Sequence, residues 1–239
     1  MKKFFSKFAY AILPFSIFIV TLLLTFYGNQ LLTNMAEPGS MHYGTTWPYN
    51  ALDDIIPLVP WFVYIYFLTF PVSIFTYFYL ASKNKKQHYD IFLTLVISFL
   101  ISGIIYFFFQ SRFIKPDFTP DSFTDKLLVW TWGSTNPTNN FPSQHCFMAI
   151  AGFIACYECK EMNKGYRIFG CTMSCLIVIS TVLTKQHYWI DFIGSLLIML
   201  PLYLLIKASG FGSKCADRFD RFYAKFKKKD KKKEEKTEQ

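Results

Sequence analysis

Six stretches of this 239-residue chain are nearly free of charge, and its Lys, Arg, Asp and Glu gather in short clusters between them. A soluble domain spreads its charge along the chain and keeps its apolar runs short. Each run here approaches the roughly 17–25 residues that cross a hydrocarbon core of about 30 Å. In lipid the backbone must satisfy its own hydrogen bonds, and a helix does so within one segment. The expected fold is therefore an all-α polytopic membrane protein, a bundle of six transmembrane helices. The spans read about Phe8–Tyr27, Pro57–Leu80, Ile91–Phe109, Phe147–Tyr157, Ile168–Thr184 and Ile190–Ile206. The fourth is short and is expected to begin nearer Ser143.

The first span follows Lys2, Lys3 and Lys7, as in a signal peptide. Its apolar part exceeds the usual length of such a core and no small-x-small cleavage site follows, so it is read as an uncleaved span. Basic residues then orient the chain. The N-terminal lysines, Lys83, Lys85 and Lys86, then Lys160, Lys164 and Arg167, and the tail all fall on one side. The segment from Asn29 to Pro57 has neither Lys nor Arg. Both termini are expected in the cytoplasm, with residues 1–212 forming the membrane domain and 213–239 a basic, disordered tail. Topology accounts for the formal charge of +9, and no nucleic-acid partner is implied.

Four cations break the rule by facing outward: Arg112, Lys115, Lys126 and Lys185. They cluster in sequence around two polar islands. One is "NNFPSQHCFMAI", where Pro142, Ser143 and His145 stand at the mouth of the fourth span. The other is "STVLTKQHYWIDFIGS", between the fifth and sixth spans, with His187 and Asp191 at i and i+4. If the sixth helix has begun by His187, the two share one face. Asp191 would then hold one ring nitrogen and leave the other free, the base-plus-orienter arrangement of activated nucleophiles. Ser143 is a good helix N-cap, and the free N–H groups behind it suit an anion. A phosphate resting there, flanked by Arg112, Lys115 or Lys185, would face His187 for attack and His145 for protonation of the leaving oxygen.

The remaining features carry less. Between the third and fourth spans, "DSFTDKLLVWTWG" reads as a short amphipathic helix in the interface, with Trp130 and Trp132 at headgroup depth. Asp53 and Asp54 are expected to solvate the first outer loop, with a place near the active side as the alternative, and His42 in that loop has no partner in view. The six cysteines suggest no disulfide framework, and "CYEC" lacks the context of a redox or metal motif. They are read as packing residues, and no metal or cofactor is implied.

At the two islands the sequence resembles the type 2 phosphatidic acid phosphatase superfamily, whose signatures are Lys-x6-Arg-Pro, Pro-Ser-Gly-His and Ser-Arg-x5-His-x3-Asp. "PSQH" is similar to the second, with Gln144 for Gly. "STVLTKQHYWID" is similar to the third, with Ser180, His187 and Asp191 in place and Thr181 where Arg is usual. "RFIKP" resembles the first loosely: Lys115-Pro116 stands for Arg-Pro, and Phe108 holds the Lys position. The pattern is nearest the branch that includes inositol phosphoceramide synthases.

The resemblance implies a membrane enzyme acting on a lipid phosphate or diphosphate at the extracytoplasmic face of the cell membrane. His187 would form a phosphohistidine, Asp191 orient it, His145 serve as acid, and Ser143 and Lys115 bind phosphate. Arg112 and Lys185 are candidates for the missing charges by proximity in sequence. A phosphotransferase moving a headgroup onto a lipid acceptor, and a non-catalytic anion-binding membrane protein, are the alternatives. Gln144 adds a side chain where phosphate approaches, and either reads the substrate or points away.

Overall fold

The computed structural model describes residues 2–35, 51–135, 138, 140–222 and 224. His42 and the lysine-rich end of the tail lie outside them. The described residues form helices α1 (Lys2–Asn34), α2 (Leu52–Ile55), α3 (Val63–Phe67), α4 (Thr69–Lys83), α5 (Lys85–Phe108), α6 (Phe123–Ser134), α7 (Gln144–Glu158), α8 (Lys164–Leu183) and α9 (Trp189–Ala208), with a 3₁₀ turn at Pro60–Phe62. A tenth helix, α10, follows over 211–222. The expected boundary at 212 therefore falls inside a helix, and this part of the tail packs on the bundle.

Among the described residues, five segments are long and apolar enough to cross a membrane: Tyr10–Leu32, Pro60–Lys83, Lys85–Phe108, Lys164–Leu183 and Trp189–Ala208. The protein is thus an all-α, multi-pass membrane protein. The second of these is not one smooth helix, because it passes through the 3₁₀ turn and then from α3 to α4 at Leu68. Pro71 explains the break: it has no N–H to give back to the preceding turn.

The fourth expected span is α7, which starts at Gln144 and has 15 residues, about 22 Å of helix. That is short for a lipid-facing span, and α7 is largely enclosed, with Phe153 and Tyr157 its exposed side chains. It is the centre of the bundle, packed by α4, α5, α8 and α9, and every residue from Cys146 to Gly152 is buried. Its Ala149, Ala151, Gly152 and Ala155 are small, which lets neighbouring backbones approach closely. Phe99, Leu95, Met199 and Tyr203 fill the spaces around it. The outer helices carry their large apolar side chains outward, among them Leu13, Leu24, Leu100, Leu197 and Leu205, where lipid tails replace water.

Contacts between loops define two ends. At one, Lys85 pairs with Asp220, Lys207 pairs with Glu158, and Asp90 Oδ1 accepts from Gly212 N. Gly212 is required there, since a Cβ would stand 2.0 Å from the Lys86 carbonyl oxygen. At the other end Lys115 reaches Lys185 and Gln186, Lys185 reaches the loop after α2, and Trp132 of α6 donates to the Thr184 carbonyl. α6 opens with a capping box between Ser122 and Asp125, and it exposes Phe123 and Trp130, as an interfacial helix does. The two histidine islands meet at this second end.

Candidate active site

α8 stops at Leu183, and the chain turns at once. Lys185 adopts φ 52°, and the N–H groups of Gln186 and His187 both donate to the Thr181 carbonyl at 3.0 Å. A left-handed non-glycine residue is uncommon and marks a backbone held by its surroundings. The turn folds His187 back over the end of α8. His187 therefore sits two residues before α9 begins, and the loop, not a shared helical face, brings its Nδ1 to 3.0 Å from Asp191 Oδ2. The same oxygen accepts from Tyr188 N at 3.0 Å. Asp191 is fully buried, and its Oδ1 has no partner among the described residues. A carboxylate in such a place costs several kcal/mol to desolvate, which marks it for function in a membrane protein.

With Nδ1 held by the carboxylate, Nε2 of His187 is the nitrogen left for chemistry. Burial, and then the neighbouring Lys115 charge, lower the His187 pKa to about 3; the Asn140 carbonyl acts the other way. The ring is neutral at physiological pH.

The opposite wall is the start of α7. Ser143 is its N-cap and its Oγ accepts from Cys146 N at 3.3 Å. Ser143 N donates to the Asp191 carbonyl, and Ser195 Oγ donates to the Ser143 carbonyl at 3.0 Å. The two helix starts are thus tied together through their backbones. Phe141, just upstream, lies against Gly194 so closely that a Cβ there would meet its ring at 2.4 Å. This fit places His145 opposite His187, with ring centroids 5.8 Å apart. Tyr66 OH lies 3.5 Å from His145 Nδ1, and its ring packs at 4.6 Å from the imidazole. Gln144 turns away from this space, and its Nε2 donates to Ser102 Oγ of α5.

Of the four outward cations, Lys115 and Lys185 line one cavity with His187 and Tyr188, of about 440 Å³. Lys115 is half-buried, and its ammonium donates to the Lys185 carbonyl at 2.8 Å and to Gln186 Oε1 at 3.1 Å. Burial lowers its pKa to about 7, with the Asp191 carboxylate opposing the shift. Lys185 Nζ is held by the carbonyls of Asp53 and Ile56 at 2.7 and 2.6 Å. Arg112 is placed elsewhere: its backbone pairs with Thr138, and its side chain does not line this cavity. Lys126 is exposed on α6.

Asp53 departs from the expectation of a solvated loop residue. It is buried, and its Oδ1 accepts from Trp189 N at 3.2 Å, capping the first turn of α9. The signal available for it was an acid in a loop with no basic neighbour, facing a helix start with no Ser, Thr, Asp or Asn cap. Tyr66 and Gln186 carried no signal in the sequence, because only the folded chain brings them to the site. A separate groove of about 600 Å³ between α7, α8 and α9 is apolar and includes neither histidine.

With this geometry in view, comparison with known proteins adds one match. The model for the PAP2 superfamily fits residues 35–205, a stretch that holds both histidine islands. The chain belongs to the PAP2 superfamily. Membership supports a phosphatase or phosphotransferase type of membrane enzyme, with lipid phosphates as the suggested substrates. No curated protein and no solved structure matches it.

Proposed function

We propose that this PAP2 protein is a lipid phosphatase that hydrolyses a lipid phosphate or diphosphate through a phosphohistidine at the extracytoplasmic face. The observation that carries this is the line Asp191, His187, His145, with the two imidazole centroids 5.8 Å apart and Lys115 beside them. His187 Nε2 forms the N–P bond as the P–O bond to the lipid alcohol breaks, and His145 delivers a proton to that oxygen. Water then attacks phosphorus as the N–P bond breaks and gives its proton to His145, which frees the His187 imidazole, restores the acid and releases inorganic phosphate. Asp191 keeps the ring in the right tautomer and stabilises the cationic ring that forms. Lys115, Lys185 and the N–H groups behind Ser143 stabilise charge on the phosphoryl oxygens, the larger share of catalysis in such transfers.

The outward placement of the site rests on the distribution of Lys and Arg, which crowd the opposite end of the bundle. The test is to trap the intermediate: purified protein, mixed with a ³²P-labelled lipid phosphate and quenched, should hold an acid-labile, base-stable label. His187→Ala should lose both the label and phosphate release. Unchanged phosphate release by His187→Ala would sink the assignment. Appearance of the label on an added alcohol instead of in free phosphate would make the enzyme a transferase.

A further inference from the structure

A second cavity, about 260 Å³, adjoins the site and shares no lining residue with the cavity at His187. Tyr66, Phe67, Phe70, Trp130 and Met148 form its apolar walls, and Gln144 and His145 supply polar atoms. Phe67, Phe70 and Trp130 are also exposed on the outside of the bundle, so the cavity opens to the flank that lipid covers. Its volume is below the roughly 300–1,000 Å³ of a pocket that encloses a whole drug-sized ligand. It has room for the beginning of a chain whose remainder lies in the bilayer.

The polar groups sort clearly. Thr131 and Ser134 of α6 turn their hydroxyls onto backbone carbonyls of their own helix, and Thr135, just past its end, directs its hydroxyl to the Thr131 carbonyl and to Gln186 Oε1. Tyr66 OH is directed to His145. Gln144 gives one N–H to Ser102, and a carboxamide carries a second N–H and a carbonyl oxygen besides. We infer that this cavity takes the first part of the apolar chain of the departing lipid alcohol, and that Gln144 hydrogen-bonds a polar group on that chain next to the phosphoester.

The inference rests on the proposed role of His145. The acid must touch the leaving oxygen, His145 lines this cavity, and so the chain on that oxygen extends into it. An ester, amide or hydroxyl near the phosphate, as in glycerol- or sphingoid-based lipid phosphates, satisfies the carboxamide. An all-carbon alkyl or polyprenyl phosphate leaves it facing methylene groups. A site built to pair with a polar group discriminates against the analogue that lacks it, and here the preference is about tenfold or more.

Two measurements on the full chain in nanodiscs test this. A short-chain phosphatidate analogue with a diazirine on the first carbons of one acyl chain should label Trp130 or Met148, in competition with unlabelled phosphatidate. Label at Ile114 or Val182 in the His187 cavity, or none, overturns the inference. Second, the ratio of kcat/KM for phosphatidate to that for dodecyl phosphate should fall about tenfold in Gln144→Leu. Gln144→Gly serves if the leucine variant does not fold, and an unchanged ratio overturns the reading of Gln144. Labelling of the cavity needs no turnover. Label at Trp130 with no phosphoenzyme would keep the cavity and reject the phosphatase reading; phosphoenzyme with label elsewhere would do the reverse.

Discussion

Replacing Lys115 with Arg should remove the part of the alkaline limb that Lys115 adds above pH 7. Lys115 titrates near 7 because burial disfavours its charge, so it is a cation below that pH and neutral above it. If its charge draws the phosphate, kcat/KM falls about tenfold per pH unit once pH exceeds 7. At pH 9, two units above, about 1% of the lysine is charged, a loss near 100-fold or about 2.7 kcal/mol of transition-state stabilisation. Arginine stays charged far above this range, so Lys115→Arg should keep only the fall that deprotonation of the acid His145 causes, and the ratio of wild-type to Lys115→Arg kcat/KM should drop about tenfold per unit above pH 7. The assay is kcat/KM between pH 6.5 and 9, a window in which a phosphate monoester, with its second pKa near 6, is mostly a dianion. His187 cannot produce the limb, since its pKa near 3 leaves it neutral throughout. The shape of the curve is the readout, because the larger guanidinium changes absolute rate as well. A wild-type profile flat to pH 9, or the same limb in Lys115→Arg, would refute the reasoning.

Asp191→Asn keeps the shape but lets an amide N–H face His187 Nδ1, stabilising the wrong tautomer; kcat should fall about 10²–10⁴-fold with KM little changed, as steady-state kinetics would show. Asp53→Ala removes the acceptor for Trp189 N and should lower stability by about 0.5–2 kcal/mol, read as a lower thermal midpoint in detergent. Gly194→Ala drives a methyl into the Phe141 ring; overpacking of this kind costs about 1–3 kcal/mol and shifts the loop that carries Ser143, so stability and kcat should fall together.

The bundle was readable because membrane spans are written in long, composition-level signals. The start of α7 was readable as well, since Ser143 before an apolar run is a local capping signal, and its Oγ does accept from Cys146 N. Local signals failed where tertiary contact decides. The span pattern makes Pro57–Leu80 one helix, yet it breaks at Leu68 ahead of Pro71. The i, i+4 spacing of His187 and Asp191 suggests a helical face, but a left-handed turn at Lys185 makes the pairing. The role of Asp53 depends on a residue 136 positions away in the chain, and no window of sequence contains both.

The departures from the superfamily signatures become intelligible in the same terms. Thr181 stands where an arginine is usual, and it supplies no charge: its carbonyl instead receives the N–H groups of Gln186 and His187. Phe108, at the usual lysine position, is exposed on the flank of α5. Positive charge therefore has to enter from another direction. Lys115 brings it from the segment after α5, steered by Gln186 Oε1 and braced against the rings of Phe113 and Trp132 at 4.6 and 5.8 Å. A guanidinium at position 181 would be permanently charged, whereas a half-buried lysine near neutrality is not. Lys115 stands at the Arg position of the first signature, so there too a permanently charged guanidinium gives way to a lysine that titrates near 7; if Lys115 holds the phosphate, its affinity follows the pH outside the site.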